Sequence, residues 1–418
     1  MARALSKECL LNNPRFIKEC SRLYGEKFDF EAERYSSLTE GINGKVRFFS
    51  ASGRAEFIGN HTDHNHGFVI ASAIDMDAAA AVEPSDGDVI TIESVGYPSF
   101  SVKLSDDIVD EKEFGTSKAI LKGVIKGLLD RGRKVGAFRA RIHSTVCKGA
   151  GVSSSASFEL LLCEIFNALY NDNAMDFKEM AIISQFAENV YFGKPSGLMD
   201  QLTASHGGVS FMDFFDPSAP KAKSLEWKFD DVGLVIINCG GDHCDLTDEY
   251  AAIRSDMHAV ANFFGKKVLR EVDKNEFFSR LPELKNNFDG RAILRAVHFF
   301  EEDDRVNSAY DALAKDDKDT FLRLITESGN SSYDLLQNCY PKGDTLQPIP
   351  LALAIAKRNE KTLATRVHGG GFAGTIISFV AKKDIDSYVE YMKKFFGEDS
   401  VFGVSVRNAG ATELVLED

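Results

Sequence analysis

Gly149-Ala-Gly-Val-Ser-Ser-Ser-Ala156 runs straight into Ser157-Phe-Glu-Leu-Leu-Leu-Cys-Glu-Ile-Phe-Asn-Ala-Leu-Tyr170. A glycine–serine loop opening a helix narrows what the chain can be. The first N–H groups of a helix have no internal partners and together carry about half a positive charge. Glycines let an anion approach those donors closely, and serine hydroxyls add hydrogen bonds or a hard ligand for Mg²⁺. The loop therefore suits a phosphorylated ligand. It is no Walker loop, because no Lys-Ser or Lys-Thr closes it, and it lacks the third glycine of a dinucleotide fingerprint. The plainer alternative is a small-residue turn with a serine N-cap.

The chain has 418 residues and a net charge of −14. That length predicts two or more domains, or one large core with a lobe attached. The acidic balance disfavours nucleic acid and acidic membranes as partners, so a polyanionic ligand needs a local positive pocket. Seven cysteines without a C-x-x-C pair predict reduced thiols and a cytoplasmic setting. No signal-like apolar stretch opens the sequence, and no apolar run reaches the ~18 residues of a membrane span.

Apolar periodicity predicts helices over 10–26, 117–131, 154–170, 176–192 and 247–264, and helical patterns dominate 290–360. Strands are predicted over 46–51, 68–82, 88–94, 98–104, 136–146, 209–214, 232–238, 364–368, 375–380, 401–406 and 412–416. The acidic run 301–304 reads as a solvated helix end. Proline and small residues at 216–220 suggest a junction, giving lobes 1–216 and 217–418. Mixing without strict alternation predicts an α+β fold.

Three further motifs carry chemistry. Gly53-Arg-Ala-Glu-Phe-Ile-Gly-Asn-His-Thr-Asp-His-Asn-His-Gly67 reads as a polar loop after a buried strand. His61, Asp63, His64 and His66 could ligate zinc, although the spacing matches no standard pattern. The same residue types could instead fix sugar hydroxyls. Glu188 is followed, after Gly193-Lys-Pro-Ser-Gly197, by Asp200. One carboxylate could hold Mg²⁺ while the other accepts a hydroxyl proton; alternatively, they are a helix-end acid and an N-cap. Finally, Arg366-Val-His-Gly-Gly-Gly-Phe-Ala-Gly374 has more glycine than a tight turn requires.

Taken in order, these motifs resemble those of the galactokinase family of the GHMP small-molecule kinase superfamily, over roughly residues 45 to 380. The stretch from His243 through Glu249 and Tyr250 to Arg254 is similar to the family's tyrosine-bearing segment. The resemblance implies a two-lobed GHMP kinase fold with mixed and antiparallel sheets and the active site in the cleft between lobes. It implies ATP- and Mg²⁺-dependent phosphorylation of the anomeric hydroxyl of galactose.

By position, Asp200 matches the base and Arg54 the charge-stabilising arginine. Asn60, His61, Thr62, Asp63, Gly197 and Tyr250 fall on sugar-contacting places. Gly149, Ala150, Gly151, Val152, Ser153, Ser154 and Ser155 form the nucleotide loop, and Ser155 and Glu188 match the Mg²⁺ ligands. The segment 369–374 supports the cleft.

The chain departs from the family pattern at Glu56 (usually Asn), Asn60 (Glu), His64 (Tyr), Cys147 (Pro) and Val152 (Leu). Asn60 falls where the family meets the sugar's C6 end. A neutral amide there would tolerate galacturonate or an amino-galactose as alternative substrates. A non-catalytic sugar and ATP sensor is a further alternative, against which stand Ser155 and Asp200.

Overall fold

The computed structural model describes residues 5–42, 44–146, 151–194, 196–240, 246–372 and 374–416. The nucleotide-loop residues Gly149 and Ala150, and also Cys147 and His243, lie outside them. Among the described residues, twelve strands form two sheets: β1 Arg47–Ile58, β2 Phe68–Pro84, β3 Val89–Ser94, β4 Phe100–Lys103, β5 Phe138–Ser144, β6 Val209–Asp213, β7 Lys221–Leu225, β8 Val232–Asn238, β9 Thr362–Val367, β10 Thr375–Ala381, β11 Val401–Val404 and β12 Thr412–Leu414. The first sheet runs β12-β1-β2-β5-β3-β4, with β6 on β2 and β7 on β6; the second runs β11-β8-β10-β9. Every pairing is antiparallel except β3 with β5. The mixed α+β architecture matches the expectation. The first sheet takes strands from both sides of residue 216, because β7 and β12 pair within it.

Two cores position the site. Helices Ser117–Leu129, Ser154–Tyr170 and Phe177–Phe186 bury Ile125, Leu161 and Ile183 against Phe49 and Ile142. A second core joins the sheets, with Phe57 and Ile70 of the first packed with Leu234 and Phe379 of the second. Helices Gly290–Ala314 and Lys318–Ser331 close it through Val306 and Phe321. Such apolar burial, at about 25 cal/mol per Å², is what fixes one sheet against the other.

β1 is longer than the 46–51 predicted. Residues 53–58, read as part of a polar loop, continue the strand after a register shift between Ser52 and Gly53. Arg54 and Glu56 are buried within it, each with ionic partners that sequence periodicity does not reveal. The helix predicted over 176–192 ends at Phe186 and widens into a π-helical turn, Ala187–Tyr191.

The acidic run also needs correction. Glu302 is fully buried and accepts from the Gly59 N–H at 3.0 Å, while Asp303 accepts from the Phe68 N–H at 3.0 Å. Two adjacent acids on one helix thus brace both ends of loop 59–68, with Arg305 (2.8 Å) and Arg270 (2.9 Å) balancing them.

Asp77 is buried between Arg34 (2.7 Å) and Arg407 (3.5 Å) and accepts from the Tyr24 hydroxyl at 2.6 Å. It ties the N-terminal helices to the C-terminal segment. No helix among the described residues is long and apolar enough to cross a membrane.

Burial pushes the carboxyls of Glu31, Glu164 and Asp303 up to about 7. At intermediate pH these folded groups hold protons that they release on unfolding, so the stability they contribute is lost as pH rises through that window. At Asp77, burial acts upward, but Arg34 and Arg407 outweigh it and hold the group below its usual range. Its contribution disappears only as pH falls below about 4. Replacing one of the raised carboxyls, in Glu164→Gln, should therefore lessen the fall in urea unfolding free energy between about pH 5.5 and about pH 7.5 by roughly 2 kcal/mol relative to the parent. The same pH dependence in parent and variant would contradict the assignment of Glu164.

Candidate active site

Arg54 leaves β1 and reaches two other segments. Its Nε donates to Asp200 Oδ1 at 2.6 Å and its Nη2 to Asp200 Oδ2 at 2.8 Å. Its Nη1 donates to the Gly151 carbonyl, and its backbone N–H to the Val152 carbonyl at 3.2 Å. The loop comes this close because residue 53 is glycine: a Cβ there would stand 2.9 Å from the Val152 carbonyl oxygen. Asp200 lies in the first turn of helix Met199–His206 with its side chain 21% exposed. Burial acts to raise its carboxyl, but the Arg54 charge and the Arg54 and Ser153 hydrogen bonds outweigh it and hold the group below its usual range.

Ser153 precedes helix Ser154–Tyr170 in a left-handed conformation (φ +65°) and makes no side-chain cap. Its hydroxyl donates to Asp200 instead, so the plain N-cap reading does not describe it. Ser154 begins the helix, and Val152 packs into the second core. Ser155 Oγ donates to Glu188 Oε1 at 2.7 Å. Glu188, 1% exposed on the π-helical turn, also accepts from Lys194 Nζ (2.9 Å), Ser196 Oγ (2.5 Å) and Gln201 Nε2 (2.7 Å). Lys194 and Ser196 were not anticipated; the one signal for them was a lysine inside a glycine-rich turn.

Asp63 lies across from these groups. Its carboxylate fills the space a Cβ on residue 197 would need, which accounts for Gly197. Burial, with a contribution from the Asp200 charge, raises Asp63 to about 6, opposed by the His64 N–H. His61 has φ +58°, and its Nε2 sits 2.9 Å from the Gly370 carbonyl oxygen. Burial lowers it to about 4, so it is neutral near pH 7. Tyr250 donates from its hydroxyl to the Gly371 carbonyl at 2.8 Å, and its ring occupies the space a side chain on residue 370 would take. A Cβ on Gly369 would lie 3.9 Å from Arg54 Nη2, so the 369–374 segment borders the same cluster.

Two expected sugar contacts point elsewhere. Thr62 is buried, with Oγ1 2.6 Å from the Phe68 carbonyl and 2.8 Å from that of Gly59. Asn60 is 1% exposed. Its Nδ2 donates to Glu56 (3.0 Å) and to the Gly369 carbonyl (2.8 Å), while its Oδ1 accepts from Asn338 (2.7 Å) and Ser332 (3.3 Å). An amide has two donors and two acceptor sites, so all are committed to protein. Asn338 and Ser332 come from far along the chain, and sequence carried no sign of them. The zinc alternative also lacks a donor set: among the described residues no three His, Cys, Asp or Glu side chains gather to hold a metal. His61 and His64 face each other through ring nitrogens 3.2 Å apart.

Known proteins similar to this chain point to one family. Residues 39–84 match the galactokinase galactose-binding signature and residues 119–208 the GHMP kinases N terminal domain. The chain is 31% identical over 388 residues to a galactokinase of Clostridium tetani (strain Massachusetts / E88), covering 90% of this chain and 91% of that protein. In fold it is similar to Lactococcus lactis galactokinase complexed with galactose (TM-score 0.76, 21% identity, 94% of this chain and 98% of that one). It is also similar to Methanococcus jannaschii mevalonate kinase (TM-score 0.62, 17% identity, 87% and 99%).

A lysine ammonium cannot span both Asp200 and the Gly151 carbonyl as the guanidinium fork does. Arg54→Lys should lower unfolding free energy by about 2 kcal/mol, as the loss of hydrogen bonds to a buried charge. Denaturant titration of the variant against the parent measures it, and an unchanged midpoint would mean that the fork holds nothing together.

Proposed function

The chain belongs to the galactokinase family of the GHMP kinases, and from that premise we propose that it transfers the terminal phosphoryl group of ATP to the anomeric hydroxyl of galactose, giving galactose 1-phosphate and ADP. The observation that carries this reading is the Arg54 fork. It joins a carboxylate on the sugar side, Asp200, to the carbonyl of the phosphate loop at Gly151. Donor and acceptor oxygens of a phosphoryl transfer must meet at such a junction.

Asp200 accepts a hydrogen bond from the anomeric hydroxyl and aligns it. Held ionised by Arg54 and Ser153, it is a modest base, which is enough because phosphoryl transfer proceeds through a loose transition state needing little proton abstraction. Arg54 and the N–H groups opening helix Ser154–Tyr170 neutralise charge gathering on the transferring group. Asp63, His61 and Tyr250 bound the sugar side. His61 is neutral, with Nε2 on the Gly370 carbonyl and Nδ1 on His64, so it shapes the sugar side without adding charge there.

Mg²⁺ fits the residues present. Ser155 Oγ and Glu188 Oε1 are hard oxygens that already meet across a 2.7 Å hydrogen bond, and hard oxygens are the donors Mg²⁺ takes. Ser155 and Glu188 would hold the ion, which supplies charge neutralisation at the nucleotide phosphates. One carboxylate with few protein ligands is the usual arrangement for such an ion.

Galacturonate and amino-galactose lose their motive, since the Asn60 amide is committed inside the protein. We read residues 217–418 as the second lobe, lending β7 and β12 to the sheet of the first. Five unpaired cysteines among the described residues support a reducing, cytoplasmic setting.

With galactose, ATP and Mg²⁺, the purified chain should release ADP only when sugar is present. Asp200→Asn should fold and lose about 10²-fold or more in kcat. Near-full turnover in a coupled ADP assay would remove Asp200 from its role. A clear kcat/KM preference for galacturonate in a sugar panel would overturn the substrate.

A further inference from the structure

Lys194 is not one of the residues the motifs assign, yet its ammonium stands on the same carboxylate oxygen as the Ser155 hydroxyl. Its side chain is 57% exposed, and its Nζ lies 2.9 Å from Glu188 Oε1. That same oxygen accepts from Ser155 Oγ at 2.7 Å. The lysine backbone is pinned to the turn it serves, its N–H donating to the Glu188 carbonyl at 3.1 Å. The ammonium and the hydroxyl of Ser155, in the first turn of helix Ser154–Tyr170, therefore share one acceptor oxygen.

Three features single it out. Arg54 is already bonded to Asp200 and the Gly151 carbonyl, so its charge is largely balanced. The chain carries a net −14, and a polyanion needs a mobile positive group where it lands. Glu188 has four donors for about four lone-pair sites, so a cation reaching Oε1 must displace one. Gln201 is fully buried, whereas Lys194 is the most exposed of the four and has a flexible four-carbon stem.

We propose that Lys194 is a nucleotide-binding residue. It neutralises Glu188 while the site is empty and passes its ammonium to the nucleotide's polyphosphate when that ligand binds. A lysine ammonium is a natural point-charge partner for phosphate. The inference rests on the kinase reading above and adds to it a cation carried by the Gly193–Gly197 turn.

The test is calorimetric titration of ATP, without divalent ions, into the parent chain, Lys194→Gln and Lys194→Arg. Lys194→Gln should bind metal-free ATP about tenfold more weakly, with a shallower dependence on salt. Lys194→Arg should recover most of the affinity. Mg²⁺ titrated alone should bind Lys194→Gln more tightly than the parent, because no ammonium competes for Glu188. Unfolding midpoints establish that the variants are folded. Equal metal-free ATP affinity in the parent and Lys194→Gln, or equal weakening in both variants, overturns the assignment. A parent chain that binds no ATP, and releases no ADP with galactose, sinks the kinase reading itself.

Discussion

One guanidinium holds the site together. Arg54 is anchored in β1, yet each end of its fork belongs to another segment: Asp200 on helix Met199–His206 and Gly151 in the loop before Ser154–Tyr170. Burial alone would lower an arginine's pKa; the Asp200 charge and its hydrogen bonds outweigh that and raise it. The pair therefore stays ionised. A buried pair with excellent bidentate geometry can offset its desolvation, whereas a poorly aligned one cannot. The Val152 carbonyl beside Gly53 and the Ser153 hydroxyl on Asp200 supply that alignment.

Around this fork the acidic chain distributes its charge unevenly. The Arg54 charge and the Arg54 and Ser153 hydrogen bonds hold Asp200 below its usual range, whereas burial raises Asp63 and Glu56. Glu56 rises to about 7, opposed by Arg366 and Arg54. Groups with diverging proton affinities side by side are typical of reaction sites, and here they line the junction of the two sheets. Behind them Glu302 and Asp303 hold the ends of loop 59–68 by its backbone. That bracing keeps His61 and Asp63 turned toward the Gly370 and Gly197 backbone instead of toward solvent.

Much of the site was legible because its motifs are local. The loop before residue 154, the Glu188–Asp200 spacing and the 369–374 glycines each announce themselves within a dozen residues. The helix 154–170 was read to its ends, since its apolar period is unbroken. Elsewhere the period misled. Residues 53–58 looked like loop because Arg54 and Glu56 are polar, although tertiary partners bury them in a strand. Helix Phe28–Leu38 was missed because its inward face carries Glu31 and Arg34, paired at 2.9 Å, where a hydrophobic stripe was sought. Strand β7 went unseen because most of its side chains are exposed or half-exposed and it exists by pairing with β6.

By itself, the order of residues determined the class of fold and the family of chemistry, because both are carried by short-range spacing and backbone permissiveness. Tertiary structure alone decided which polar groups face the cleft. Asn60 and Thr62 sit in the same motif as Asp63, yet Asn338, Ser332 and two carbonyls draw them inward. Lys194 was an ordinary surface lysine until Glu188 was found beneath it. Hydrogen-bond partners hundreds of residues away compete for each polar atom, and only the folded chain shows which of them has reached it.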